Sequence, residues 1–103
     1  MSAYEFEAPV WIWSGGGGGT SWHFLTLPFE VTDEIDDITT DATRGFGSVR
    51  VKATIGHTTW ATSIFPSKER RSFILPVKAP VRKAEGLADG TRARVRVELV
   101  DFP

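Results

Sequence analysis

A chain of 103 residues, 41% hydrophobic and 24% charged, has the size and composition of one folded domain, expected to span residues 1–103. It contains no cysteine, which excludes disulfides, thiolate metal sites and cysteine nucleophiles. The net charge of −1 conceals an uneven distribution: residues 1–43 carry eight acids and no Lys or Arg, whereas residues 44–98 carry all twelve Lys and Arg against four acids.

The start, MSAYEFEAPV, places Glu5 and Glu7 where a secretory signal needs a basic segment and then an apolar run, so a cytoplasmic location is expected. Residues 8–29 lack Asp, Glu, Lys and Arg, but Pro9, Pro28 and five consecutive glycines make a poor membrane helix, and no membrane association is expected. The segment YEFEAPVWIW alternates. Tyr4, Phe6, Ala8, Val10 and Ile12 fall on one face and Glu5, Glu7, Pro9, Trp11 and Trp13 on the other, which predicts a half-buried strand with Pro9 at an edge or bulge. After the glycines, SWHFLTL is a second β-rich run. The glycines are followed by Thr20, Ser21 and a strand, not by Gly-Lys-Ser/Thr and a helix, so they read as a hairpin tip and not as a phosphate loop.

Val31, Ile35, Ile38 and Ala42 then recur at helical spacing. Thr32 is the expected N-cap, Gly45 the stop, and the acids Asp33, Glu34, Asp36, Asp37 and Asp41 are expected to be a solvated face; Ile35 interrupts the alternation that a calcium loop needs. Strand periodicity resumes with Val49, Val51, Ala53 and Ile55 inward against Arg50, Lys52 and Thr54. A Gly56–His57 turn leads into TTWATSIF, ended by Pro66, and a charged SKERR loop precedes the strand SFILPV. APVRKAEG predicts a short helix with Pro80 in its first turn and Gly86 as its stop. TRARVRVELV is the sixth strand, with Ala93, Val95, Val97 and Leu99 inward and Arg92, Arg94 and Arg96 outward.

This order holds an internal repeat. FLTLP precedes a helix, a glycine and VRVKA; FILP precedes a helix, a glycine and VRVEL, with Pro28 to Pro76 spaced by 48 residues and Val49 to Val95 by 46. Neither β-β-α-β unit buries its apolar face alone. The expected fold is therefore mainly β with two short helices: a six-stranded barrel of two pseudo-repeats that closes within one chain, hence a monomer.

The segments WHFLTLP, RGFGSVRVKATIG, WATSIFP and LPVKAPVRKAEGL resemble, in order, a prokaryotic domain-of-unknown-function family, the one numbered nineteen-oh-five, from about Tyr4 to Leu99. Members are similar to small double-split β-barrels, broadly like those of AbrB-type transcription factors. Gly90-Thr91 replaces the Gly-Asp usual in the family before the last strand. The resemblance implies an architecture and no catalytic residue.

The chemistry-bearing residues are few. His23 on a strand and His57 in a turn do not predict a metal pair, no cofactor motif occurs, and Ser63 lacks a nucleophile turn and a readable His-acid relay. Two groups stand out as candidate contacts. Trp11, Trp13, Trp22 and Trp60 form either a cross-strand aromatic cluster or a partner patch. Lys78, Arg82 and Lys83 surround the short helix while Arg92, Arg94 and Arg96 line one strand face, either as solvated side chains or as an anion-binding surface. Two function classes stay open: a non-catalytic binding or interaction module for a small molecule or protein, and a small enzyme with a barrel-mouth pocket. Weak nucleic-acid or anion binding through the basic face is a further alternative, disfavoured by a pI near 6.1. A concave pocket with convergent polar groups would favour the enzyme and a flat basic or aromatic surface the module, and the region of Trp22, Trp60 and Lys78 is where a pocket is sought.

Overall fold

A computed structural model of the chain describes residues 3–13, 22–39 and 47–100. Chain order is β1 (Ala3–Pro9), β2 (Trp11–Trp13), β3 (Trp22–Thr26), α1 (Phe29–Thr39), β4 (Val49–Ile55), β5 (Thr58–Ser67), β6 (Ser72–Pro76), α2 (Ala79–Glu85) and β7 (Arg92–Leu99). The fold is mainly β with two helices, and its strands form one curled, seven-stranded sheet in the order β1-β7-β4-β5-β6-β3-β2. Every described pairing is antiparallel.

The expected first strand is two, because its backbone changes partners at Val10. β1 pairs with β7 as far as Pro9↔Arg92, and β2 pairs with β3 from Trp11↔Phe24. Between them Val10 donates its N–H to Thr91 O (2.9 Å) and accepts from Gly90 N–H (2.7 Å), so the changeover leaves no orphan amide. β5 also serves two neighbours without breaking. Its first part, Thr58 to Ile64, lies along β4, and Phe65 to Ser67 lie along β6. Pro66 was expected to end this strand, which instead runs on to Ser67. Past Ile64 the β4 ladder has stopped, and on that unpaired side a proline ring forfeits no hydrogen bond.

Period-two stripes supply the core. Phe6, Ala8 and Val10, then Val49, Val51, Ala53 and Ile55, then Ala93, Val95, Val97 and Leu99 are all buried, joined by Leu25, Ile64 and Leu75. Ile12, expected on the inward stripe, is 41% exposed on β2. The first helix starts at Phe29 directly after Pro28, with Thr32 N–H donating to Pro28 O (2.9 Å), so Thr32 is not its N-cap. The Thr32 hydroxyl instead accepts the Phe73 N–H (3.2 Å) and ties α1 to β6. The buried stripe of α1 runs through Val31, Ile35 and Thr39, while Ile38 points outward; Thr39 satisfies its hydroxyl on Ile35 O (2.8 Å). Ala42 and Gly45 lie outside the described residues.

β2 and β3 pair antiparallel as far as Trp13↔Trp22, and the glycine run expected to be a hairpin tip lies outside the described residues. α2 has Pro80 in its first turn and Gly86 as a left-handed cap (φ 66°), as expected. The repeat is visible in the sheet: β3 lies beside its counterpart β6, and β4 beside β7. Neither described helix is long and apolar enough to cross a membrane.

Candidate functional site

The charge segregation of the sequence does not persist as one basic face. β1 brings the acidic half beside the basic half, so Arg92 lies 3.9 Å from Glu7 and Arg94 3.7 Å from Glu5, while Arg96 lies 3.7 Å from Glu98 on its own strand. These are exposed pairs of small energetic value, but they balance the arginines electrostatically. The three arginines of β7 therefore do not present an uncompensated row.

A cavity of about 970 Å³ opens on the other flank, across the outward faces of β4, β5, β6 and β3 and the start of α2. The alternation of the strands builds its floor. Phe65 pairs with Ile74, Ile74 with Thr26, and Pro76 with Phe24, so Phe65, Ile74, Pro76 and Phe24 project from one side of the sheet. Trp22, two residues before Phe24, shares that face and is 52% exposed. Its ring lies 6.4 Å from that of Phe24 with an interplanar angle of 11°. On β4, the outward residues Arg50 and Lys52 form one wall, opposite Ser63 and Ala61 of β5. Lys78 and Arg82 form another. Arg82 is oriented by a hydrogen bond from Nη1 to Val77 O (2.7 Å). The lining thus contains four cationic side chains and no carboxylate, over an apolar and aromatic floor. Among the described residues none of the four is in an ion pair, although Glu98 of β7 stands across the ladder from Lys52.

The sequence-nominated tryptophans divide. Trp11, Trp13 and Trp22 share the outer face of the β2–β3 hairpin, with Trp11 5.1 Å from Phe24 and its Nε1 donating to Thr26 Oγ1 (2.8 Å). The Arg70 guanidinium sits 3.9 Å from the Trp11 ring centroid and covers it. Only Trp22 of these three lines the cavity. Trp60 is elsewhere: it shares the inward face of β5 with Ile64 and packs against the core. Of the basic nominees, Lys78 and Arg82 line the cavity, whereas Lys83, Arg92, Arg94 and Arg96 do not. Arg50, Lys52, Phe65, Ile74 and Pro76 were not singled out from the sequence. The signal for the first two was present, since both alternate with the buried valines of β4.

His23 also lines the cavity, and its buried Nδ1 has no hydrogen-bond partner among the described residues. Burial, then the nearby Arg82, push its pKa below the ordinary 6.5, with Asp89 opposing. It is thus a neutral imidazole at pH 7. Ser63 stands on the cavity wall, and no imidazole hydrogen-bonds to it among the described residues. No group of three or more His, Asp or Glu side chains that could hold a metal ion occurs among the described residues.

Residues 6–97 match the family model described as "Domain of unknown function (DUF1905)". The chain belongs to the DUF1905 family. The match extends from β1 nearly to the end of β7 and so includes every strand and both helices of the curled sheet. No curated protein matches the chain. Membership in DUF1905 assigns the architecture to a family without assigning an activity, which leaves the cavity chemistry to carry the functional reading.

Proposed function

We propose that this protein is a non-catalytic binding module whose ligand is an organic anion held in the cavity between β4, β5, β6, β3 and α2. One observation carries this reading: four cations and no carboxylate stand around an apolar floor. An apolar body on Trp22, Phe24 and Phe65 brings desolvation, and an anionic group answers Arg50, Lys52, Lys78 and Arg82. The cavity is concave, the trait that would favour an enzyme, but the charged groups on its lining are all cations. General acid–base or nucleophilic chemistry needs a proton-transfer pair, and Ser63 and His23 are not joined into one.

The framework proposed for this module is a six-stranded double-split barrel. Its support is that β1 and β2, at opposite ends of the sheet order, are separated in the chain by Val10 alone, so together they act as one strand that joins both ends of the sheet. In that arrangement β1–β2 is the counterpart of β5, which likewise lies along two different neighbours. Closure inside one chain needs no second copy, and the module is a monomer in the cytoplasm.

Titration of the labelled protein with 2-naphthoate, followed by amide and indole NMR shifts, tests the site. Shifts should concentrate at Trp22, Phe24, Arg50, Lys78 and Arg82 and spare Arg92 to Arg96. Absence of any shift at millimolar naphthoate, or shifts confined to β1 and β7, overturns the reading.

A further inference from the structure

The cavity's charge and shape narrow the class of anion, and the narrowing rests on the anion-binding reading above. A monocarboxylate would answer one cation and leave the others repelling each other across a partly apolar space. Arg50, Lys52, Lys78 and Arg82 together call for a ligand with several negative charges. Phosphate is the side-chain-sized group that carries close to two charges at pH 7, and the planar guanidinium of arginine bonds it in bidentate fashion. The floor adds a second requirement. Trp22 and Phe24 lie nearly parallel, and of the aromatic side chains on the floor Trp22 and Phe65 are exposed while Phe24 is half-buried between Trp11 and Trp22. Ring faces accept another flat ring by stacking, whatever its hydrogen-bonding edge.

We infer that this cavity binds the nucleotide unit, an unpaired base stacked on Trp22 and Phe24 with its phosphates on Arg50, Lys52, Lys78 and Arg82. The hydroxyl of Ser63, also on the lining and opposite Arg50, adds a neutral donor of the kind that contacts phosphate and sugar. The same chemistry is offered by a free nucleoside triphosphate and by a short single strand. A duplex is a poor fit, because its bases have already stacked on one another and present no free face to the aromatic floor. The paired arginines of β7 take no part. Their neighbours Glu5 and Glu7 would repel a phosphate brought to that surface.

The test is a fluorescence-anisotropy and tryptophan-quenching titration of the purified chain with four probes: adenosine triphosphate, hexathymidylate, a hexameric duplex and hexaglutamate. Each is measured at 50 and 200 mM salt, beside 2-naphthoate as the reference for the parent reading. The expected result is binding of the triphosphate, the hexathymidylate or both, with the responding probe naming the source. Strand affinity should fall by roughly 20- to 50-fold across that salt interval if three to four phosphates are neutralised. Trp22→Ala, at an exposed position, should weaken binding by at least about fivefold through lost stacking. Arg50→Glu/Lys78→Glu should abolish it, and Arg94→Glu/Arg96→Glu should leave it unchanged. Naphthoate binding with no response to either nucleotide probe overturns the inference and leaves the anion site standing; silence from all probes removes both. Equal binding of hexaglutamate or of the duplex, or binding indifferent to Trp22→Ala, also overturns the inference.

Discussion

His23 is held neutral by its surroundings, and that has a sign. Burial is the larger cause and the positive Arg82 the second, while Asp89 opposes them, so the folded imidazole titrates below 6.5. In the unfolded chain it takes up its proton near pH 6.5. Between those two midpoints the unfolded state binds more protons than the folded one. The contribution of His23 is therefore complete above about pH 6.5 and declines as pH falls toward the folded midpoint. Urea unfolding at pH 7.5 and pH 5 should show wild type losing more stability than His23→Gln does. An equal loss in the two proteins would contradict the assignment, as would an NMR midpoint for His23 at or above 6.5. Arg82→Gln should move that midpoint upward, because the second cause is then gone.

The turn between β4 and β5 is tied to α2 through a contact that an added side chain would push aside. Gly56 has φ +59°, and a Cβ built there would collide with the Glu85 carboxylate. Glu85 is in turn the acceptor of Thr58 Oγ1 at 2.7 Å. Gly56→Ala should cost about 1–2 kcal/mol, from the left-handed backbone together with displacement of that hydrogen bond. The steric part should vanish in a Glu85→Ala background, so a double-mutant cycle by urea denaturation should give a smaller cost for Gly56→Ala there; strict additivity would show that Glu85 is not the obstacle. Much of this element-level design was legible beforehand. Burial alternates on β4 and β7 because each has one face on the core, and both helices announced themselves by spacing and by Pro80 and Gly86. The misread features share a cause: Thr32, Pro66 and Val10 are each decided by a partner distant in sequence. Thr32 turns to the Phe73 amide, Pro66 uses the end of a ladder, and Val10 bonds to Gly90 and Thr91. The cavity was half legible for the same reason. Trp22, Lys78 and Arg82 are conspicuous by residue type, whereas Arg50 and Phe65 gain meaning only when β4, β5 and β6 stand side by side.

At the scale of the molecule, opposite charges are distributed by strand order and not by position in the chain. Glu5 and Glu7 reach the β7 arginines across the β1–β7 ladder, which leaves Arg50, Lys78 and Arg82 without an ion pair around the cavity of a chain with net charge −1. The internal closure proposed for the sheet predicts a monomer of 11.4 kDa in sedimentation equilibrium, with the apparent mass unchanged across a wide concentration range. A mass that doubles within the micromolar range would show that edges left open in one copy are completed by another. The β1–β7 ladder carries a further consequence for biosynthesis. Glu5 faces Arg96, so a segment made at the very beginning of translation of this domain pairs with one that leaves the ribosome only after residues 92–99 are complete. Until then Phe6 and Ala8 have no partner strand, and the nascent domain exposes a β edge that a holdase would recognise. Pairings of such long sequence separation also slow folding, so the step that joins β1 to β7 is expected to come late.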